Sequence, residues 1–432
     1  MIPVPDQWPA NISTGGVEAI KTHWRTFFPD VQLQGLIEQA LANNRDLKMA
    51  AARVEEARAQ FGVARAEQTP NLSLSAGGSL TGTPADLSDT GRASRSERFD
   101  LGLSSISFEL DFWNRIAGLS DAARASYLAS EDARRAVHLS LVADVANAYF
   151  TYLQVLELER LLRAVMSSRR ESLALIQKGR DLGGAYDLEY QLALGLLEAA
   201  QAALEGVEHQ KNLTVHRLAF LVGTPNFVVP QGRSMEEQGL ELALAPGLPS
   251  EVLLVRPDVM AAEKRLQAAN SNIAAARAAF LPKVLLTAGM GLASQSLLGL
   301  FRGGAWSFQP AISLPIFDGG RLEAGADLAQ ARKVIAVADY EKTLQLAFRE
   351  VADLLSARET VARQMRASQA NRRIQERLLQ IAKARHDVGL ASYLEVLEAE
   401  RNLMGALQNI AQVRRSQLES ATLLYKALGG GA

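Results

Sequence analysis

The stretch His386–Arg401 reads H-D-V-G-L-A-S-Y-L-E-V-L-E-A-E-R and joins two long segments of helical periodicity around Gly389. A weaker copy, R-D-L-G-G-A-Y-D-L-E-Y-Q-L-A-L-G, occupies Arg180–Gly195. Gly389 follows Gly183 by 206 positions, and the same shift aligns the residues after both turns. A repeat of this length predicts one architecture written twice, in which each copy reverses at a glycine turn.

A second pair of matching segments precedes two strand-like regions. Asp258–Phe280 repeats Asp46–Gln68 at a shift of 212, and Pro70 and Pro282 follow the two copies. Proline lacks an amide donor and clashes with the preceding helical turn, so each proline is expected to end a helix. The first of these helices is predicted to run unbroken from Val31 to Gln68.

Four segments alternate between apolar residues and Ser, Gly or Thr, which is typical of strands with two different faces. They are Asn71–Thr83, Arg98–Phe112, Val284–Gln295 and Trp306–Phe317. The alternation slips at Ser104–Ser105, which indicates a bulge or a change of environment. Pro310 and Pro315 interrupt the last segment and count against a strand there.

Long segments without proline follow each strand pair. Ile116–Lys178 and the region from Arg321 to Val388 each hold about 60 residues or more, and 60 helical residues extend roughly 90 Å. Such helices are too long for a compact domain and predict a coiled coil or a helical barrel. Shorter helices are expected at Tyr186–Val222 and Ser392–Leu428.

Composition excludes several classes of function. The formal net charge is -1, from 46 basic and 47 acidic residues, which does not favour nucleic-acid binding. Without cysteine the chain has no disulfide, thiolate zinc site or thiol nucleophile. His209 and His216 could share a helix face, but a metal site needs more ligands. No phosphate-binding loop or nucleophile motif is present, so we expect neither an enzyme nor a cofactor or metal.

The patterns divide the chain into alternating helical and strand regions. Met1–Phe28 is punctuated by Pro and Gly and is predicted to be an extended arm outside the core. The predicted parts are an N-terminal arm (1–30), first-repeat helices (31–70 and 114–222), strands one and two (71–113), a Pro-rich equatorial segment (223–254), second-repeat helices (255–282 and 318–428), strands three and four (283–317) and a C-terminal tail (429–432).

Two architectures fit these elements. A tilted strand crosses a membrane with about 9–11 residues, and the two-faced pattern suits lipid on one side and water on the other. Four strands cannot close a barrel, and an open edge in lipid leaves backbone groups unsatisfied. Membrane-spanning strands would therefore require several copies sharing one barrel. The alternative is a soluble coiled-coil structural protein with β-hairpins, which would purify without detergent.

The order of the two halves and several motifs resemble the TolC/OprM family of outer-membrane factors, in particular its OprM/NodT-type lipoprotein branch. The motifs are Leu254–Asp258 (L-V-R-P-D), Phe280–Lys283 (F-L-P-K), Leu314–Arg321 (L-P-I-F-D-G-G-R) and the Gly389 turn. The resemblance implies an α+β membrane protein: a trimeric 12-stranded β-barrel, four strands per chain, continuous with a long α-helical periplasmic barrel.

The same resemblance implies function and partners. The chain is expected in the bacterial outer membrane as the exit duct of a tripartite efflux pump, passively exporting drugs or other small molecules. Expected partners are two further copies in a homotrimer, outer-membrane lipid, a periplasmic adaptor and an inner-membrane pump of the RND type. Branch members carry a lipidated N-terminal cysteine after a signal sequence. This chain shows neither, so we expect a processed or engineered form, or a natural form without the lipid.

The resemblance also places a gate beside the Gly389 turn, at Leu394, Glu395 and Glu398. Leu394 and Glu398 are four residues apart and share a helix face. At the shift of 206, Glu398 corresponds to Leu192 and Glu400 to Leu194, so these carboxylates belong to the second copy only. In a trimer Glu398 would form a ring of three carboxylates favouring cations. The alternative is that Glu398 is an ordinary solvated helix residue.

The reversal points are predicted to meet the adaptor. The residues expected at this contact tip are Leu182, Gly183, Gly184, Val388, Gly389, Leu390 and Ala391. TolC latches this region with an Arg and a Tyr near the turn glycine. Ala391 and His386 occupy those positions here, so that latch is not expected.

Overall fold

The computed structural model describes residues 17–18, 22–89, 91–182, 187–225, 227–230, 232–240, 244–245 and 254–430. The chain forms two compact units. The helical unit comprises Met1–Ala51, Asp132–Met260 and Lys342–Ala432, and the sheet unit comprises Ala52–Glu131 and Ala261–Glu341. No described helix carries a stretch that is both long and apolar enough to cross a membrane.

The described residues form helices and strands in the order expected for two repeats. The helices are α1 (Trp24–Phe27), α2 (Val31–Asn43), α3 (Arg45–Ala66), α4 (Arg115–Asp181), α5 (Asp187–Val222), α6 (Pro257–Ala278), α7 (Arg321–Asp387) and α8 (Tyr393–Ala427). The strands are β1 (Val17–Glu18), β2 (Ser73–Thr83), β3 (Ser94–Leu110), β4 (Leu244–Ala245), β5 (Lys283–Ser294) and β6 (Gly304–Ser313).

Helix lengths repeat between the halves. The helices before the strands, α3 and α6, each have 22 residues. The helices after the strands, α4 and α7, each have 67 residues. The last helix of each half has 36 residues in α5 and 35 in α8. The internal duplication predicted from the sequence is therefore present in the structure.

The helix predicted over Val31–Gln68 is broken at Asn44, so that prediction was wrong in one respect. The Asn44 side-chain Nδ2 donates to the carbonyl of Leu221 at 2.9 Å, and Asn44 Oδ1 accepts the Leu47 backbone amide at 3.0 Å. Asn44 thus ends α2 and caps α3 while it bonds to α5. Periodicity alone cannot reveal such a break, because the bond to Leu221 joins residues distant in sequence.

The aromatic residues at the start of the chain lie in the core of the helical unit. Trp24, Phe27 and Phe28 are buried, and the Phe27 ring stacks on Tyr425 with centroids 4.4 Å apart. The expectation that Met1–Phe28 lies wholly outside the core was therefore wrong for its last residues. Phe and Trp bury large apolar areas, so this segment contributes to stability and does not simply cover the surface.

The four long strands form one antiparallel sheet in the order β2-β3-β5-β6. Residues directly opposite each other share a face. One row across the sheet is Leu74, Leu103, Met290 and Trp306, and the adjacent row on the other face is Ser73, Ser104, Gly289 and Ser307. The sheet therefore has an apolar face and a face of small polar residues, and the four apolar residues are exposed in the single chain.

A bulge in β3 accounts for the phase slip seen in the sequence. The register with β5 shifts between Ser105 and Phe108. Ser107 has a φ of 55°, and its amide donates to Thr287 Oγ1 at 3.1 Å. The extra residue returns Phe108, opposite Leu286, to the apolar face. The bulge thus keeps one face apolar along a strand whose alternation reverses.

The fourth strand is shorter than predicted. β6 ends at Ser313 and not at Phe317. Pro315 lacks an amide donor and follows this end, whereas Pro310 lies inside β6, which is an edge strand of the sheet. Proline is tolerated on an edge because its missing donor can face away from the neighbouring strand. With β2 as the other edge, both sides of the described sheet remain open to further pairing.

Candidate functional site

Gly389 builds the turn between α7 and α8. Its amide donates to His386 O, and the Leu390 amide donates to Arg385 O, both at 2.8 Å. This pair of bonds closes a helix with a left-handed residue, and Gly389 has a φ of +76°. Other residues are strained in this conformation, although open space surrounds the Gly389 Cα. The sharp reversal therefore depends on glycine.

Large apolar side chains are exposed at the two reversals. Leu182 is 88% exposed, and Val388 and Leu390 are also exposed. Gly389 is exposed and Ala391 is half-buried. Gly183 and Gly184, which were predicted at the contact tip, lie outside the described residues. The described tip residues thus offer apolar surface to a partner and have little contact within this chain.

Leu394 and Glu398 occupy one exposed face of the first turns of α8. Leu394 is 64% exposed. Glu398 pairs with Arg401 at 3.7 Å, and both side chains are largely exposed. An exposed pair of this kind contributes little to stability, because water and salt screen it. The Glu398 carboxylate is therefore accessible to solvent on this face.

Glu395 has a different environment from the other two predicted gate residues. Its carboxylate pairs with Arg385 Nη1 at 3.2 Å, and so joins α8 to α7 across the turn. Glu395 does not line the cavity that Leu394 and Glu398 share. The structure brings two of the three predicted gate residues together and places the third against the neighbouring helix.

An open cavity of about 900 Å³ lies between α4, α5, α7 and α8 in the helical unit. Leu394 and Glu398 line it on one helix, and Leu192, the first-repeat counterpart of Glu398, lines it on another. Further apolar residues of the wall are Leu161, Val165, Leu196, Leu379, Leu397 and Leu403. The exposed carboxylate of the second repeat therefore faces an apolar wall that includes its first-repeat counterpart.

A charge cluster that includes two residues lining this cavity, Arg169 and Glu400, was not predicted from the sequence. The Glu400 carboxylate forms ion pairs with Arg169 Nη2 of α4 at 3.4 Å and with Lys383 Nζ of α7 at 3.3 Å. The Arg169 side chain is only 9% exposed. The sequence signal was the difference between Glu400 and Leu194 at the repeat shift, but the partners of Glu400 are too distant in sequence to be inferred from it.

Among the residues that the structure describes, no group of three or more His, Asp or Glu side chains could hold a metal ion. The chemistry available at this site is that of charge and apolar surface beside an open cavity. Such a site can restrict or select the solutes that pass it.

Known proteins share this architecture along the whole chain. The family model described as outer membrane efflux protein matches residues 36–224 and 248–430. Outer membrane protein OprJ of Pseudomonas aeruginosa is 42% identical over 435 residues, which cover 99% of this chain and 90% of OprJ. Cation efflux system protein CusC of Escherichia coli is 38% identical over 437 residues, which cover 100% of this chain and 93% of CusC.

A solved structure agrees with these sequence matches. The open state of the MtrE outer membrane channel of Neisseria gonorrhoeae superposes with a TM-score of 0.91 at 34% sequence identity. The match covers 100% of this chain and 96% of the MtrE chain. The similarity therefore includes both the sheet unit and the helical unit.

Proposed function

This chain belongs to the outer membrane efflux protein family and is the outer-membrane exit channel of a tripartite efflux pump, and we propose that it works as a homotrimer gated beside the Gly389 turn. Its location is the outer membrane, with the helical part in the periplasm. Its role is transport, as a channel protein of this family.

The observation that carries the trimer proposal is the open, two-faced sheet. Its apolar face is exposed, and its edges β2 and β6 have unpaired backbone groups on one side. In lipid every such group must be paired, and closure into a barrel is the way a sheet achieves this. Three copies of four strands make a 12-stranded barrel, within the size range of outer-membrane barrels. The serine- and glycine-rich face would then line the water-filled interior.

The gate is proposed at Leu394 and Glu398. Both line the same open cavity. Glu398 is exposed, and among the described residues its ion pair is the screened one with Arg401. Three copies would place three Leu394 side chains and three carboxylates around the duct. Leucine rings restrict the passage of water and ions, and carboxylate rings favour cations. Glu395 supports this gate indirectly, because its pair with Arg385 stiffens the turn.

The exposed tip is proposed as the contact with a periplasmic adaptor, through which the channel joins an inner-membrane pump of the RND type. Leu182, Val388 and Leu390 present exposed apolar side chains, which is typical of an interaction surface. Gly389→Asp should weaken chemical cross-linking to the adaptor, because it strains the turn and adds charge to the tip. Unchanged cross-linking would show that Gly389 is not part of the adaptor interface.

One experiment tests the assembly. The full chain, purified in detergent, should have the mass of a trimer plus bound detergent and should give discrete currents in planar bilayers. A monomer that stays dispersed without detergent would instead support the soluble coiled-coil alternative. A trimer that gives no currents would support the proposed assembly and contradict the proposed channel activity.

A further inference from the structure

The connection between β5 and β6 carries exposed apolar residues at one end of the sheet. It forms a short 3-10 helix, Leu297–Arg302, with the sequence L-L-G-L-F-R, here called the apolar turn. Leu298 is 95% exposed and Phe301 is 75% exposed. The connection between β2 and β3 also exposes a leucine, Leu87, at 74%. Its 3-10 helix, Ala85–Leu87, is shorter, has the sequence A-D-L and carries the acidic Asp86 where the apolar turn has apolar and basic residues.

Hydrogen bonds and a buried leucine hold the apolar turn in a defined conformation. Ser296 Oγ accepts the Gly299 amide at 3.2 Å, and Ser294 Oγ accepts the Ser296 amide at 3.2 Å. Leu300 is buried beneath the turn. These contacts hold one leucine inward, so Leu298 and Phe301 are directed outward by the same geometry.

The register of the sheet places this turn on its apolar side. Ser294 lies opposite Phe99, and Leu292 lies opposite Leu101, so the Ser294 side chain belongs to the apolar face. A Cβ on Gly299 would lie 2.7 Å from Ser294 Oγ. Gly299 therefore sits against a side chain of the apolar face, and the turn continues that face past the end of β5.

The apolar turn packs on the central part of its own sheet. It packs against β5 and β3, which are the two central strands. A further copy of the chain would pair at the free edge of β6 or β2, away from this position. A second copy is therefore a poorer occupant for the exposed side chains than the lipid that covers the rest of the apolar face.

The charge at the end of the turn indicates which part of the lipid it meets. Arg302 follows Phe301 directly, and no ion pair of Arg302 occurs among the residues that the structure describes. Apolar side chains beside a basic residue are the composition of segments that lie in the interfacial region of anionic membranes. An arginine in this position can donate to lipid phosphate oxygens.

We propose that the apolar turn is a lipid-binding anchor, in which Leu298 and Phe301 enter the membrane interface and Arg302 binds the phosphate of an anionic lipid. This inference rests on the proposed membrane position of the sheet. It assigns this role to the connection that carries two outward apolar side chains and a basic residue, whereas the A-D-L connection carries one exposed leucine and an acidic residue.

The absence of cysteine permits a direct test with one labelled site at a time. Leu298→Cys, labelled with a polarity-sensitive fluorophore, is reconstituted in vesicles of phosphatidylcholine with phosphatidylglycerol and nitroxide-labelled lipid. We expect a blue-shifted emission and loss of most of the fluorescence to the nitroxide. Asp86→Cys in the other connection is the matched control and should remain water-like and unquenched.

One further variant separates the possible failures. Leu103→Cys, on the apolar face of β3, should be quenched whenever the sheet spans the membrane. Quenching at Leu103 without quenching at Leu298 would overturn the lipid anchor alone. A blue-shifted Leu298 emission that the nitroxide lipid does not quench would also overturn it, because a second copy would then cover Leu298. Quenching at neither site would also overturn the membrane position of the sheet.

The role of Arg302 has its own readout. Arg302→Gln in the Leu298-labelled protein should remove the difference in quenching between vesicles with and without phosphatidylglycerol. Equal quenching in both vesicle types before the substitution would overturn the phosphate contact. The substitution is expected to leave channel currents unchanged, because Arg302 lies outside the proposed gate.

Discussion

At the residue scale, the proposed gate depends on Leu394 and Glu398, one helical turn apart on α8. Leu394→Gly with Glu398→Ala should give larger single-channel currents in planar bilayers, because it removes both the apolar obstruction and the carboxylate from the cavity. The matched control is Leu213→Gly with Glu205→Ala, which makes the same changes at exposed positions of α5. Equal currents from both double variants and the parent channel would contradict the gate.

The Arg169–Glu400 cluster allows a second prediction at this scale. Glu400→Gln leaves the buried Arg169 guanidinium without its carboxylate, which typically costs about 3 kcal/mol. Arg169 Nη1 has no hydrogen-bond partner among the described residues, so no other group compensates for the loss. We expect a lower unfolding temperature in detergent and an enlarged current, since α8 is then no longer bound to α4 by this pair.

The double variant distinguishes charge from packing in that cluster. Arg169→Gln with Glu400→Gln removes both buried charges and should restore most of the lost stability. A double variant as unstable as the single one would show that shape, and not the ion pair, makes the site important. A current that stays normal in both would separate this cluster from gating.

At the element scale, the two faces of β3 should respond differently to charge. Leu103 belongs to the apolar row and Ser104 to the polar row. Leu103→Arg should reduce the yield of assembled trimer in the outer membrane, because an arginine on the lipid face costs about 2–4 kcal/mol near the bilayer centre. Ser104→Arg, one residue away, should be tolerated. Equal yields of the two variants would contradict the assignment of faces.

The elements also show how far local sequence patterns can be used. Each of the four long strands and each long helix was predicted from its period, because the period reflects which face of that element is apolar. The two-residue strands β1 and β4 were not predicted. The break at Asn44 was missed, since the Asn44 side chain donates to Leu221 of another helix. The sequence indicated a bulge near Ser104–Ser105 but did not give its conformation, because the Ser107 amide at the bulge bonds to Thr287 in the neighbouring strand.

At the scale of the whole molecule, acid should weaken the folded helical unit through His138. Burial, followed by the charges of Arg134 and His23, lowers the pKa of His138 from its ordinary value of 6.5. The unfolded chain therefore binds this proton more readily than the folded chain. The stability that the neutral ring provides is complete above a pH of about 6.5 and is lost as the pH falls toward the lower folded-state pKa.

Thermal unfolding in detergent between neutral and mildly acidic pH measures this effect. His138→Gln should show a smaller fall in unfolding temperature than the parent chain, since glutamine does not take up a proton. His209→Gln, at an exposed position of α5, should fall as much as the parent. An identical pH dependence for all three chains would rule out His138 as the source.

The sequence by itself determined the duplication, the order of helices and strands, the apolar alternation and the glycine turn. These features depend on neighbours within a few residues or on repetition along the chain, and both are visible in a single sequence. It also placed Leu394 and Glu398 on one helix face, which the helical period alone requires.

Only the tertiary structure decided which residues meet across the fold. It brought Trp24, Phe27 and Phe28 into the core, paired Glu395 with Arg385 and joined Arg169 to Glu400. Arg169 and Glu400 lie on helices of different repeats, and local periodicity carries no information about such pairs. The reason is physical: the free energy of these contacts comes from burial and charge between distant segments, and it exists only once the helices pack.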